Sequence, residues 1–293
     1  MKKYTIVGIG ELLFDVFPDR KALGGAPTNF AYHCQQLGHE AISVSAIGRD
    51  TLGEEIKAEL QARQLPAILQ ETDYPTGTVQ VTLSPTGSPT YEISEDVAWD
   101  HIAFTDELRA LAQRTDAVCF GSLAQRHAAS RTAILSFLKA MPEGSLRIFD
   151  INLRLQYYTR ETIHTSLEHA DILKLNDEEV PIVAHLLGLE GDMEAVCHQV
   201  LTDYGLRAVI LTRGADGCSI YHKKGSVFHP SACIEVADTV GAGDSFTAGF
   251  VSALLAGRSH LEAVALATRV AAFVCCHHGA MPTLPSEYRV VEA

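Results

Sequence analysis

Asp238-Thr239-Val240-Gly241-Ala242-Gly243-Asp244-Ser245-Phe246 is the stretch on which the reading of the fold turns. Beyond it Phe246, Phe250, Ala253 and Leu254 recur at helical spacing, so the Gly-Ala-Gly turn opens a helix, predicted over 244–256. Glycines let backbone N–H groups approach an anion closely, and a helix N-terminus carries partial positive charge. A phosphate would be held there without any basic side chain. Asp244 would lie beside it, kept ionised by the helix N-terminus and able to accept a proton. A Gly-rich turn with an aspartate cap is the other reading, and these residues alone leave both open. The turn is not a Walker loop, because no Gly-Lys-Ser/Thr occurs in the chain. Nor is Gly8-Ile9-Gly10 a dinucleotide fingerprint, since Leu13 stands where the third glycine belongs.

Outward from this turn, short β-branched runs alternate with helical patterns. Strands are predicted at 4–9, 41–47, 117–121, 146–151, 171–175 and 208–212. Helices are predicted at 27–37, 52–63, 106–114, 130–141, 192–204 and 260–277. That alternation means βαβ units and a doubly wound, mainly parallel sheet. Residues 11–18 and 76–96 break the pattern with strand-like alternation around Pro85-Thr86-Gly87-Ser88-Pro89, and they predict a small antiparallel β element. A hairpin is expected around Lys223-Lys224-Gly225. No linker separates independent domains, so the expectation is one domain over 1–293, with a discontinuous β lid near 11–23 and 73–99.

Ligands in such a sheet sit beyond the carboxyl ends of the strands. Those ends carry Asp150, Asn152 and Arg154, then Asn176 and Glu179, then Thr212-Arg213-Gly214. Gly24-Gly25-Ala26-Pro27-Thr28-Asn29 leads into a helix; Pro27 suits a first turn, and Asn29 offers both a donor and an acceptor for sugar hydroxyls. A plain loop-to-helix junction explains that segment equally simply. Asn176-Asp177-Glu178-Glu179 has the form of a capping box, and alternatively orients the hydration shell of a magnesium ion.

The composition is that of a soluble enzyme, 47% hydrophobic and 20% charged. A formal charge of −13 repels nucleic acid and acidic membranes, so neither is an expected partner. The apolar stretch after Lys2-Lys3 is too short for a signal peptide and runs into Glu11 and Asp15, which predicts a cytoplasmic protein. Seven cysteines form no C-x-x-C pair and read as reduced thiols. Cys275-Cys276-His277-His278 reads as small thiols in a buried helix, because adjacent helical residues make a poor chelate.

Gly24-Gly25-x-x-x-Asn29, Asn176-x-x-Glu179 and Asp238-Thr239-x-Gly241-Ala242-Gly243-Asp244, in this order, resemble the ribokinase/PfkB-type carbohydrate kinases from Gly8 to Pro282. The resemblance implies a ribokinase-like, Rossmann-type α/β fold with a β lid, and transfer of the γ-phosphoryl of MgATP to a sugar. Asp244 would be the general base, and Gly241, Ala242 and Gly243 the anion hole. Asn176 and Glu179 would serve Mg2+ through water, while Thr212, Gly214 and Gly217 would form the nucleotide loop. The backbone at Asp238 and Val240 is where relatives often hold a monovalent cation, K+ being the candidate. Gly10-Glu11-Leu12-Leu13-Phe14-Asp15, Gly24 to Asn29, and Asp150-Ile151-Asn152-Leu153-Arg154 look like fructokinase. Asp15, Gly24, Gly25, Asn29 and Arg154 would then bind the sugar.

Ile151, where fructokinases usually carry proline, and an acidic 91–100 stretch without arginine depart from that pattern. Kinases for 2-keto-3-deoxygluconate, ribose or a nucleoside are the alternatives, with Arg154 meeting a sugar-acid carboxylate in the first. A non-catalytic sugar-binding regulator is the alternative of another class. Edge-to-edge pairing of lids predicts a homodimer.

Overall fold

The computed structural model describes residues 2–83 and 89–291. The turn expected at 85–89 lies, but for Pro89, outside the described residues. Among the described residues the main sheet has nine strands, in the order β13-β12-β11-β10-β9-β8-β1-β4-β5. These are β1 (Thr5–Ile9), β4 (Glu40–Gly48), β5 (Ala67–Thr72), β8 (Ala117–Phe120), β9 (Leu146–Asp150), β10 (Ile172–Asn176), β11 (Ala208–Thr212), β12 (Cys218–His222) and β13 (Gly225–His229). All pairs are parallel except the hairpin end, where β12 lies antiparallel to both β11 and β13.

Both faces are covered, which is why the central strands are apolar throughout rather than alternating. Val7, Ile9, Leu173 and Leu175 pack under α3 (Asp106–Ala112), α4 (Ala128–Ala140), α5 (Arg160–Glu168), α6 (Glu179–Leu187) and α7 (Met193–Asp203). Ile6, Ile172 and Ile210 pack on the other face under α1 (Ala26–Gln36), α2 (Thr51–Ala62), α8 (Ala242–Leu255) and α9 (His260–Cys275). Side-chain oxygens fix the helix starts. Asp50 Oδ1 accepts from Gly53 N–H (2.8 Å), Asp192 Oδ1 from Ala195 N–H (2.9 Å), and Ser259 with Glu262 forms a reciprocal box.

The second sheet has the order β3-β2-β6-β7, from β2 (Leu13–Val16), β3 (Lys21–Gly24), β6 (Gly77–Leu83) and β7 (Pro89–Ile93). It is not purely antiparallel as expected, since β2 and β6 pair in parallel. The cause is topological: β2 continues from β1 and β6 from β5, and β1 and β5 run the same way in the main sheet. At the base of this sheet Trp99 fills the space beside Gly77, where a Cβ would lie 2.2 Å from the indole nitrogen. Arg126 binds Asp100 through two nitrogens (2.8 and 2.7 Å) and donates to Ser94 O (2.6 Å). The cation missing from 91–100 thus arrives from the loop after β8.

The Cys275–His278 run ends α9 rather than being buried in it: Cys275 is half-buried, and Cys276 and His277 are exposed. Among the described residues no cluster of three His, Cys, Asp or Glu side chains is arranged to hold a metal. None of their helices is long and apolar enough to cross a membrane.

Candidate active site

The helix at the Gly-Ala-Gly turn starts at Ala242, two residues earlier than predicted, and no side chain caps it. Ala242 N–H turns back to Thr239 O (3.2 Å), which takes it out of the expected anion hole, while the next amides of the first turn, at Gly243 and Asp244, have no partner within the helix. Backbone contact requires glycine at Gly241, and Gly243 borders the end of the Lys174 side chain. Gly241 sits at φ 76°, and a Cβ on it would lie 2.7 Å from Ala280 Cα. A Cβ on Gly243 would lie 2.8 Å from Lys174 Nζ. Asp238 fixes the approach, its two oxygens accepting from Val240 N–H and Gly279 N–H (3.0 Å each). Ala280 is held in turn by buried His33, whose imidazole burial drives down to about 4, so that its neutral Nε2–H donates to Ala280 O (2.8 Å).

Asp244 lies in the first turn of α8. Asn29 Nδ2 donates to its Oδ2 at 2.8 Å, joining residues 215 apart in the chain. Burial and the neighbouring Asp150 push the Asp244 carboxyl up to about 6, against the opposing pull of Asn29, Lys174 and Arg154. Asn29 is buried on α1, and its Oδ1 has no partner among the described residues.

Three more acidic and basic groups share this space. Glu11 is 3% exposed, with Oε2 unpartnered among the described residues. Burial above all, with repulsion from Asp244, brings its carboxyl to about 7, while backbone N–H groups and Arg154 oppose the rise. Asp15 is half-buried on β2; burial lifts it to about 6 and Arg154 restrains it. Gly24 and Gly25 make room for this pair: a Cβ on Gly24 would lie 2.7 Å from Asp15 Oδ2, and one on Gly25 2.4 Å from Glu11 O. Arg154 is exposed on a loop whose neighbours Asn152 (φ 42°) and Leu155 (φ 49°) are left-handed.

One strand along, Asn176 and Glu179 form the reciprocal box. Glu179 Oε2 accepts from Asn176 N–H (2.8 Å), and Asn176 Oδ1 from Glu179 N–H (2.9 Å). Glu179 Oε1 accepts from Leu153 N–H (2.8 Å), so the carboxylate also ties the Arg154 loop to α6. Thr212 ends the next strand and donates to Leu175 O (3.4 Å). Gly214 (φ 49°) and Gly217 (φ 89°) shape the β11–β12 turn, where a Cβ on Gly217 would lie 2.4 Å from His229 O.

The sequence profile of the pfkB family carbohydrate kinases matches residues 10–287. The chain belongs to the pfkB family of carbohydrate kinases. An ATP-dependent 6-phosphofructokinase of Thermoanaerobacterium thermosaccharolyticum is 28% identical to this kinase over 97% of it and 92% of the relative. A probable fructokinase-5 of Arabidopsis thaliana is 29% identical over 96% and 94%. A putative sugar kinase of Pyrococcus horikoshii is 30% identical over 95% and 92%. Its structure in complex with ATP superposes with a TM-score of 0.83 at 28% identity, covering 94% of each chain.

In this carbohydrate kinase Asn29 bonds Asp244, Arg154 is near enough to Asp15 and Asp244 to restrain both carboxyls, and Gly24 and Gly25 adjoin Asp15 and Glu11. Asn176, Glu179 and Thr212 stand at the adjacent strand ends, and Gly214 and Gly217 lie further along. Sequence reasoning missed two residues of the cluster, Glu11 and Lys174. Glu11 stands in the sequence inside a strand-like run and the fructokinase-like Gly10–Asp15 stretch, without a role of its own. The signal for Lys174 was a charge inside the apolar strand Ile-Leu-Lys-Leu-Asn of β10.

Proposed function

We propose that this kinase transfers the γ-phosphoryl group of MgATP to the 6-hydroxyl of D-fructose, giving fructose 6-phosphate and ADP. The observation that carries the reading is the Asn29–Asp244 bond, which places a carboxylate of raised basicity at an open helix N-terminus. Asp244 takes the hydroxyl proton as that oxygen attacks the γ-phosphorus. The amides at Gly241 and Gly243 stabilise the charge on the transferring group, with Ala242 N–H held by Thr239 O. Glu11, Asp15 and Asp244 face the Arg154 guanidinium, and the Lys174 ammonium near Asp244 is matched by Asp150. This balance suits a neutral polyol and repels a substrate that already carries phosphate.

Thr212, Gly214 and Gly217 shape the nucleotide loop, and the ATP-bound relative from Pyrococcus supports ATP as donor. Glu179 accepts two backbone N–H groups, which leaves lone pairs for metal-bound water but not for a direct ligand cage; Asn176 assists. When bound, Mg2+ neutralises charge on the phosphates. The Asp238–Val240 loop is the position for K+. The small sheet, with Tyr91 51% exposed on its edge strand β7, supports a homodimer. A gel-filtration mass of one chain refutes that part.

Arg154 favours a second reading, a sugar acid such as 2-keto-3-deoxygluconate, whose carboxylate it would meet. A panel of fructose, fructose 6-phosphate, ribose, a nucleoside and 2-keto-3-deoxygluconate in a coupled ADP assay separates these. The expected order places fructose first. Turnover of fructose 6-phosphate above fructose overturns the charge argument.

A further inference from the structure

Lys174 is 7% exposed in the middle of the nine-stranded sheet, on the face that packs beneath α8. A buried ammonium is costly unless paired, and Lys174 is paired: it lies in register with Asp150 of β9, and its Nζ is 3.0 Å from Asp150 Oδ1. The other Asp150 oxygen accepts from Thr247 Oγ1 (2.9 Å), and the same hydroxyl lies 3.0 Å from Gly243 O. The pair is thereby tied to the first turn of α8.

A simple counter-ion to Asp150 needs nothing more, yet two further facts concern the site. An ammonium has three donors and Asp150 takes one. The Nζ atom also occupies the place that a Gly243 side chain would fill, 2.8 Å from its Cβ position. The third residue of the Gly-Ala-Gly turn is therefore side-chain-free on its inner face to admit a positive charge under the open amides. Asp244 and Glu179, beside Asp150, hold that charge on the lysine despite burial.

We propose that Lys174 is a positioning residue for phosphoryl transfer, bracing the underside of the Gly243 turn and lending its charge to the anion hole. This rests on the kinase reading above. The probe is a set of three full-length proteins: wild type, Lys174→Met, and Lys174→Met with Asp150→Asn. The double variant removes the uncompensated buried carboxylate that the single variant leaves.

A pure counter-ion role predicts that the double variant regains both melting temperature and kcat. The positioning role predicts recovered melting temperature with kcat still down by about 10²–10³-fold and KM for ATP nearly unchanged, as for loss of an oxyanion-hole donor. A second readout needs no turnover. The affinity for ADP with aluminium fluoride, a mimic of the transferring phosphoryl, falls at least about tenfold in the double variant, while ADP alone binds as before. Recovery of kcat to within about threefold of wild type, or unchanged aluminium fluoride binding, overturns the proposal. A wild type that phosphorylates no sugar on the panel defeats the substrate reading instead, and the aluminium fluoride arm still decides the role of Lys174.

Discussion

Replacing Asn29 by alanine removes the side-chain hydrogen bond that, with the charges of Lys174 and Arg154, favours the ionised form of Asp244. In the proposed mechanism the base works as a carboxylate, which predicts activity lost as pH falls through its pKa, near pH 6 in the wild type. A hydrogen bond to a charged group contributes about 1.5–3 kcal/mol, and 1.36 kcal/mol corresponds to one pKa unit. Deleting it favours the protonated form and moves the acid limb of kcat/KM up by about one to two pH units. At pH 7 the wild-type group is about nine-tenths ionised, whereas the variant falls to between about one-tenth and one-half. The other groups facing Asp244 are Asp150 from β9, Lys174 from β10, Arg154 from the loop after β9, and Glu11 from the loop after β1. The assay is kcat/KM from pH 5 to 9, repeated in a Glu11→Gln background, because Glu11 also titrates near 7. Loss of a sugar contact lowers the whole curve without moving it sideways. An acid limb that keeps its wild-type position in both backgrounds refutes the assignment of Asn29 as the partner that tunes the base.

Asp244→Asn lowers kcat about 10²–10⁴-fold with ATP affinity kept, read by coupled assay and calorimetry. Its folded carboxyl stands at about 6 against 3.8 without the fold, so its contribution to stability is full at acid pH and is lost as pH rises through 6. The variant accordingly melts higher than wild type at pH 8. Glu11→Gln behaves alike through the higher value of about 7: more stable than wild type at pH 8.5, with the difference shrinking by pH 5.5. Gly8→Ala drives a Cβ to 1.9 Å from Pro27 O, between β1 and α1, and costs about 3 kcal/mol or more in urea unfolding. Arg126→Ala strands Asp100, which is 1% exposed, and costs about 3–5 kcal/mol in the same measurement.

The strands and helices that the sequence marked well are those with strong apolar periodicity or a cap, such as β10, α2 and α9. Others were hidden for physical reasons. β5 lies at the sheet edge, only half-buried and polar at its end, so it lacks the apolar run of a central strand. α6 reads as a continuous apolar stretch with Pro181 in its first turn, which gives no helical stripe. β3 is four residues long and exposed at its start. α5 shows its start through Thr159, whose hydroxyl accepts from Thr162 N–H (3.1 Å), but its polar composition masks the buried Ile163 and Leu167.

For the site, local chemistry is what a sequence can carry. Glycines that must admit a neighbour, a helix N-terminus and the Asn176–Glu179 box are properties of a few adjacent residues. They located the turn at Asp244, and their order along the chain pointed to the family. The ionisation of that turn is a different matter. Asn29 against Asp244, Lys174 beneath Gly243, and Glu11 buried beside Arg154 are meetings of residues from separate elements, made by the parallel order of β1, β9 and β10 and by α1 packing on α8. Burial and charge at those meetings set whether a carboxyl holds its proton, and no window of sequence contains them. The sequence by itself determined the family and the turn that carries Asp244; the tertiary structure decided how basic Asp244 is and which charges surround it.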